Sequence, residues 1–372
     1  MRKNGSIIGV RNDPTFKLAS GIWSVEEVGK NKYTQTWPVT FYSDYSSDTF
    51  SGWTAGNAPG NLYTITATSG FIGGVLTPSG DVILVPFSSA NVGIYDPVAD
   101  TYTNGAAHGK ASGAFRGGVL APSGDVILVP HGSANVGIYD PVANTYTDGP
   151  AHGKGGTAFT GGVLTPSGKI VLAPNSSANI GIYDPVADTY TDGPAHGKGS
   201  DAFFGAVLAP SGKVILVPRS SANIGIYDPV ADTYTDGPAH GKGSNAFFGG
   251  ILAPSGDVIL VPFSSANIGI YDPVADTYTD GAAKNSCVGG ALTPSGKIIL
   301  APSGGSVGIY DPVADSCLNV PATGGFRGAV LTPSGKVILV PFSVSNVGVL
   351  FGGEIVPPST ESALTGPYLN KY

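Results

Sequence analysis

The chain has 372 residues and a net charge of −7, and its charged residues amount to 12%, about half the share usual in soluble domains. That balance excludes nonspecific nucleic-acid binding, which needs clustered Lys and Arg to neutralise phosphates. No run reaches the roughly 18 apolar residues of a membrane span, so membrane insertion is excluded as well.

In chain order, Met1–Val10 carries basic residues but no apolar stretch of signal-peptide length, and synthesis in a cytoplasm is expected. Ser20 or Ser24 can cap a short helix that places Glu26 and Glu27 near its positive end. Ile22, Trp23, Val25 and Val28 give that segment an apolar face too small to be a core alone. Two readings of Trp23 and Trp37 stay open: packing on the underside of the domain that follows, or docking on another subunit or a second copy of this chain. Tyr42–Trp53 reads as an extended connector, and a boundary falls near Asn61.

From there the chain repeats itself. Pro-Ser-Gly begins at Pro78, Pro122, Pro166, Pro210, Pro254, Pro294 and Pro333, a spacing of 44 residues four times, then 40 and 39. Tyr-Asp-Pro follows at Tyr95, Tyr139, Tyr183, Tyr227, Tyr271 and Tyr310, and Val347–Phe351 takes its place in the last unit. In one unit, Ala114–Ala121 predicts a strand and Pro122-Ser-Gly124 a type I turn. Asp125–Val129, Asn135–Tyr139 and Thr145–Thr147 predict three more strands. Four antiparallel strands per unit with no 3.6-residue periodicity predict an all-β, seven-bladed β-propeller.

A ring made from one chain has two free sheet edges unless its termini pair. Leu62–Ala67 resembles the Thr-Tyr-Thr strand of the other units and is expected to complete the last blade. Glu354–Val356 is the weaker alternative, shortened by two prolines. The expected division is 1–61 as an anchoring or oligomerisation segment, 62–352 as the propeller with 62–67 as its closing strand, and 353–372 as a C-terminal tail.

The unit resembles the Kelch family of propellers, in which a buried second strand leads to a Tyr-Asp-Pro turn and then an aromatic on the outer strand. Here that aromatic is Tyr102, Tyr146, Tyr190, Tyr234 and Tyr278, where the family more often has Trp. The family's Gly-Gly after the second strand is replaced by Val-Pro or Ala-Pro, while Gly117-Gly118 and its equivalents fall on the first strand. They are read as allowing close approach of the innermost strands near the axis.

Ala19–Val28, followed by Thr36-Trp-Pro38, resembles a short signature of structural and tail-fibre proteins of tailed bacteriophages, marine ones especially. The resemblance implies a virion protein made in a host cytoplasm, joined to other virion subunits through Ile22, Trp23, Val25 and Trp37. A tail fibre or host-attachment protein binding a surface glycan or receptor is the expected function. The competing class is a head-decoration or tail-assembly subunit without a ligand of its own.

Side chains that invite chemistry are few. His108, His152, His196 and His240 stand in Ala-His-Gly-Lys between blades, where a seven-fold ring holds equivalent groups roughly 9 Å apart, too far for one zinc ion. Loop packing or anion contact is expected instead, and no metal or cofactor. The Asp of Tyr-Asp-Pro and the Asp or Asn before Thr-Tyr are both assigned to Asx turns. Cys287 and Cys317, on the first and fourth strands of blade six, are expected to be buried free thiols. No pair of carboxylates outside turns suits glycan cleavage, so the chain is expected not to be an enzyme.

One position varies in the constant frame. After the second strand's proline come Phe87, His131, Asn175, Arg219, Phe263 and Phe342, on the face that also carries the His-Gly-Lys loops. Variation there reads as a recognition surface or as drift at an exposed site.

Overall fold

Pro122 and Gly124 close each first hairpin as their conformations require: the Gly124 N–H donates to the Ala121 carbonyl at 3.0 Å, and Gly124 has a φ of +97°. The computed structural model describes residues 62–351, together with the backbone of Arg2–Lys3 and Ser6–Ile7, which pair antiparallel. Within 62–351 the chain makes seven antiparallel four-stranded sheets. Blade 2, for example, comprises Phe115–Leu120, Val126–Pro130, Asn135–Asp140 and Thr145–Ala151. The first strands of the seven blades begin at Phe71, Phe115, Phe159, Phe203, Phe247, Cys287 and Phe326.

The last blade takes its fourth strand from the start of the repeat region. Tyr63–Thr66 pairs antiparallel with Asn346–Phe351, in the register Tyr63 to Val349 through Thr66 to Asn346. That strand closes the ring. Residues 354–356 and 353–372, like the 1–61 segment with Ile22, Trp23, Val25 and Trp37, otherwise lie outside the described residues.

Burial explains the order of strands. Second strands are buried along their whole length, save for Lys336 at the start of the last one, because both faces lie against neighbouring blades, whereas fourth strands such as Thr145–Ala151 are largely exposed on the rim. Each core slab is shared by two blades: Val119, Ile127 and Val129 of blade 2 pack with Phe159, Leu172 and Tyr183 of blade 3. Stacking therefore hides apolar area that no blade hides alone.

At the centre, a glycine of each first strand abuts the next. A Cβ on Gly73, Gly117, Gly161, Gly205, Gly249, Gly289 or Gly328 would meet the following glycine's Cα at 3.0–3.7 Å, and Gly328 returns to Gly73. Their spacing is what the Gly-Gly pairs provide.

Polar pairs stitch blade to blade. Lys110, Lys154, Lys198 and Lys242 each place Nζ 2.6 Å from an aspartate of the next blade's outer strand. The Asp of Tyr-Asp-Pro forms the expected Asx turn, Asp140 Oδ1 accepting from the N–H groups of Val142 and Ala143. The Asp or Asn before Thr-Tyr does not. Asn144 sits at φ +51° and accepts from the Tyr139 hydroxyl and from the Ala106 N–H of the preceding blade, so it is an inter-blade clamp.

Cys287 is buried and Cys317 half-buried, and both are free. Burial pushes the Cys287 thiol up to about 12. They stand where other blades pair Phe with Tyr, and Lys284 extends over the vacated space to donate to Asn319 Oδ1 at 2.6 Å and to the Ser306 carbonyl at 2.9 Å. No helix among the described residues is long and apolar enough to cross a membrane.

Candidate functional site at the axial mouth

A bulge in every first strand builds the site. In blade 2, Phe115 pairs with Pro130 and Gly118 with Leu128, so Arg116 and Gly117 occupy a stretch with one residue too many. The same irregularity recurs in all seven blades. A bulge re-aims the side chain it carries. The residue it carries is Ile72, Arg116, Thr160, Phe204, Phe248, Val288 and Arg327 in successive blades, and Phe204, Phe248 and Val288 pack together from three different blades. Arg116 shows the re-aiming directly, since its guanidinium lies 4.6 Å from the ring centre of Phe204. Blades 2 and 4 are not neighbours, so this contact spans the channel.

The six positions singled out above form a second circle beside the first. Their N–H groups donate to the residue just before their own blade's first strand, as from His131 to Ala114 at 2.8 Å and from Arg219 to Ala202 at 2.9 Å. Their carbonyls accept from the next blade, as Arg219 does from Ala246 and Phe342 from Gly70. Backbone pairing thus pins Phe87, His131, Asn175, Arg219, Phe263 and Phe342 around one opening, with Ser303 as the seventh member.

Aromatic faces line two arcs of that opening. Phe342, Phe87 and His131 follow one another with ring centres 5.9 Å apart. Opposite them Phe204 and Phe248 stack at 4.4 Å, and Phe248 and Phe263 at 4.1 Å, almost parallel. Arginines sit between the arcs: Arg327 lies 3.6 Å over Phe342, Arg116 is 5.4 Å from Phe87, and Arg219 is 5.4 Å from Phe248.

These arginines differ in how their charge is met. Arg219 donates to Asp201 at 2.6 Å, to Asn245 at 2.9 Å and to Asn175 at 3.1 Å. Among the described residues, the one hydrogen-bond partner of Arg116 is His131 Nε2, at 3.5 Å from Nη1. Among the described residues, the buried Nε atoms of Arg116 and Arg327 have no hydrogen-bond partner and neither residue has an ion pair. Burial, followed by the charges of Arg327 and Arg219, brings Arg116 down to about 10, so it stays protonated at neutral pH. Burial also lowers Arg327. Burial and the adjacent Arg116 charge lower His131 to about 4, leaving the ring neutral, with Nδ1 donating to the Gly113 carbonyl at 3.2 Å.

The structure corrects part of the expected surface. His131 and Asn175 are not exposed: they are 8% and 1% accessible. Each folds back on the turn before its own blade's first strand: His131 Nδ1 donates to the Gly113 carbonyl at 3.2 Å and Asn175 Nδ2 to the Thr157 carbonyl at 3.1 Å. Phe87, Arg219, Phe263 and Phe342 are half-buried. The whole inner circle escaped the sequence reading, although its signal was the same: the residue before Gly-Gly varies from blade to blade in a constant frame.

The repeated histidines are committed to packing. His152 Nε2 donates to the Ser133 carbonyl at 2.7 Å, its Nδ1 accepts from the Lys154 N–H, and its ring stands edge-on to Phe159 and Tyr190.

No family model and no curated protein matches the sequence. The ring is similar to solved structures of virginiamycin B lyase from Staphylococcus aureus, at 12% identity and a TM-score of 0.67 over 78% of this chain and 99% of that one. It is also similar to hydrazine synthase of Kuenenia stuttgartiensis, at 16% identity and a TM-score of 0.63 over 80% and 98%. A fungal alcohol oxidase in complex with copper matches at 14% identity and a TM-score of 0.60 over 78% and 76%. At these identities the likeness shows the fold alone. It nevertheless overturns the expectation that this chain is not an enzyme, because the shared ring is one that carries lyase and oxidase activities. A repeat framework without paired carboxylates excludes no catalysis.

Proposed function

We propose that this protein is a bacteriophage virion component, a tail fibre or similar host-attachment protein that reads a surface glycan at the axial mouth. The observation that carries the reading is the contrast between a nearly invariant frame and two circles of varied side chains that meet at one opening. Flat aromatic faces such as Phe87, Phe263 and Phe342 suit stacking on sugar rings, and the polar neighbours suit hydrogen bonding to hydroxyls. The Kelch-like order of strands and the phage-like Ala19–Val28 segment support the same reading, the latter as the attachment to other virion subunits or to further copies of the chain. Weak binding per site is multiplied when copies are arrayed on a particle.

A second reading, a head-decoration or tail-assembly subunit, is favoured by the opposite face. Six turns between third and fourth strands present Val98, Val142, Val186, Val230, Val274 and Val313, each 89–96% accessible. The two separate by experiment. Phe87, Phe263 and Phe342 replaced together by Ser should leave a folded ring and reduce binding to host cells at least tenfold. A folded triple variant that adsorbs like the parent rejects glycan recognition at this mouth and favours the assembly role.

A further inference from the structure

Where this fold uses a basic side chain structurally, it supplies the partner. Arg219 has a carboxylate and two amide oxygens, Lys336 has Asp100 at 2.8 Å, and the four lysines on the blade boundaries each have an aspartate at 2.6 Å. Arg116 and Arg327 break that rule. They flank blade 1 from the first strands of blades 2 and 7, at the mouth of a chain whose net charge is −7. Both bury an Nε–H that no described residue receives. An unmet donor inside a protein costs stability, and an unpaired charge costs more.

We infer that Arg116 and Arg327 together receive the oxyanion of an acidic sugar, a carboxylate, sulfate ester or phosphate ester, at the axial mouth. This rests on the glycan reading and narrows it to acidic glycans. With Nε enclosed, the two terminal Nη groups are the side of each guanidinium left to grip an oxyanion through parallel hydrogen bonds. Both planes are held ready for it by rings: Arg327 by Phe342 at 3.6 Å, Arg116 by Phe204 at 4.6 Å and Phe87 at 5.4 Å. Phe87 and Phe342 are themselves in contact, so an aromatic ledge runs between the two charges. An acid group between the guanidiniums therefore leaves the attached sugar ring beside that ledge. Among the described residues, Asp201, the carboxylate whose charge reaches Arg116, is already engaged by Arg219.

The test uses the full chain with oligosaccharides bearing uronate, sulfate or phosphate groups, their neutral counterparts, and sodium sulfate, by calorimetry at low salt. Acidic oligosaccharides should bind at least tenfold more tightly than neutral ones. Arg116→Gln and Arg327→Gln should each weaken that binding at least tenfold, while Arg116→Lys restores part of it by keeping charge without the fork. Circular dichroism of each variant establishes that the ring is folded, and Lys242→Gln, on the rim, should change nothing. The preferred acid group identifies which ester or carboxylate is read. Neutral oligosaccharides bound as well as acidic ones, unaffected by either Arg→Gln variant, overturn the acidic-sugar inference while glycan recognition stands. Sulfate ion bound as tightly as the acidic oligosaccharides overturns the sugar component, and no binding by any probe overturns both.

Discussion

Lys336 and Asp100 are 236 residues apart in sequence and 2.8 Å apart in space, across the seam where the last blade meets the first. Asp100 also accepts from the Tyr95 hydroxyl at 2.6 Å and from the Tyr63 hydroxyl of the closing strand. Burial pushes its carboxyl up, but hydrogen bonds from Lys336 and Tyr95 outweigh that and hold it below its ordinary value. Asp100→Ala should therefore cost about 1–3 kcal/mol by urea unfolding, since it removes the acceptor that the Tyr95 hydroxyl, the Tyr63 hydroxyl and Lys336 share across the seam. Lys110→Ala removes a solvent-screened pair and should cost under about 1 kcal/mol. Equal, small effects would show that the seam is no tighter than the rim.

The closing strand sets a limit on truncation. Removing residues 1–68 takes Tyr63–Thr66 from the last blade and exposes the edge of Asn346–Phe351, so unfolding should broaden and shift to lower temperature. Removal of residues 1–55 keeps that strand, and its melting curve should match the parent's. Calorimetry of the two truncations decides, with identical curves counting against closure by this strand.

Gly117 and Gly124 have similar dihedrals, φ +85° and +97°, in very different surroundings. A Cβ at Gly117 meets the Gly161 Cα at 3.0 Å, while at Gly124 it meets nothing within 4 Å. Gly124→Ala should cost only the left-handed strain, about 1–2 kcal/mol. Gly117→Ala adds a backbone collision at the axis, and its loss should exceed that of Gly124→Ala in the same unfolding assay. Comparable losses would mean the innermost strands can spread.

His131 makes stability depend on pH with a definite sign. Its folded value of about 4 lies below the ordinary 6.5, so between those two values the unfolded chain binds a proton that the folded ring refuses. Stability should fall as pH drops through that window, by on the order of 3 kcal/mol once below it. His131→Asn keeps the side-chain donor that Asn175 uses at the equivalent place in blade 3. The variant should lose less stability between pH 7 and 4.5 in urea midpoints. Because His196 and His240, also lowered by burial, are present in both proteins, the difference isolates His131. Parallel pH curves would place the sensitivity elsewhere.

Blade number, turn chemistry and the closing strand were legible in the chain itself. Pro-Ser-Gly at Pro78 and its six successors marks one hairpin per blade through local dihedral preferences alone. Leu62–Ala67 could be matched to an outer strand because a ring leaves only one place for a spare one. Local rules suffice where a residue's neighbours are near in sequence or repeated at a fixed period. They failed at the Asp or Asn before Thr-Tyr, where Asn144 reaches a backbone N–H 38 residues earlier instead of closing its own turn.

The circles at the mouth were half legible for the same reason. Variation pointed to Phe87 and its equivalents, yet nothing local says that His131 and Asn175 are buried against the turn before their own blade's first strand, 18 residues earlier. Nor does any short-range pattern place Arg116 against Phe204, two blades away. Sequence periodicity determined that there would be seven blades and which strands they contain, because each blade buries its apolar faces only by stacking on the next. Only the closed ring decided which side chains face one another across the axis, because the first-strand bulge turns them inward and ring geometry, not chain distance, sets who meets whom.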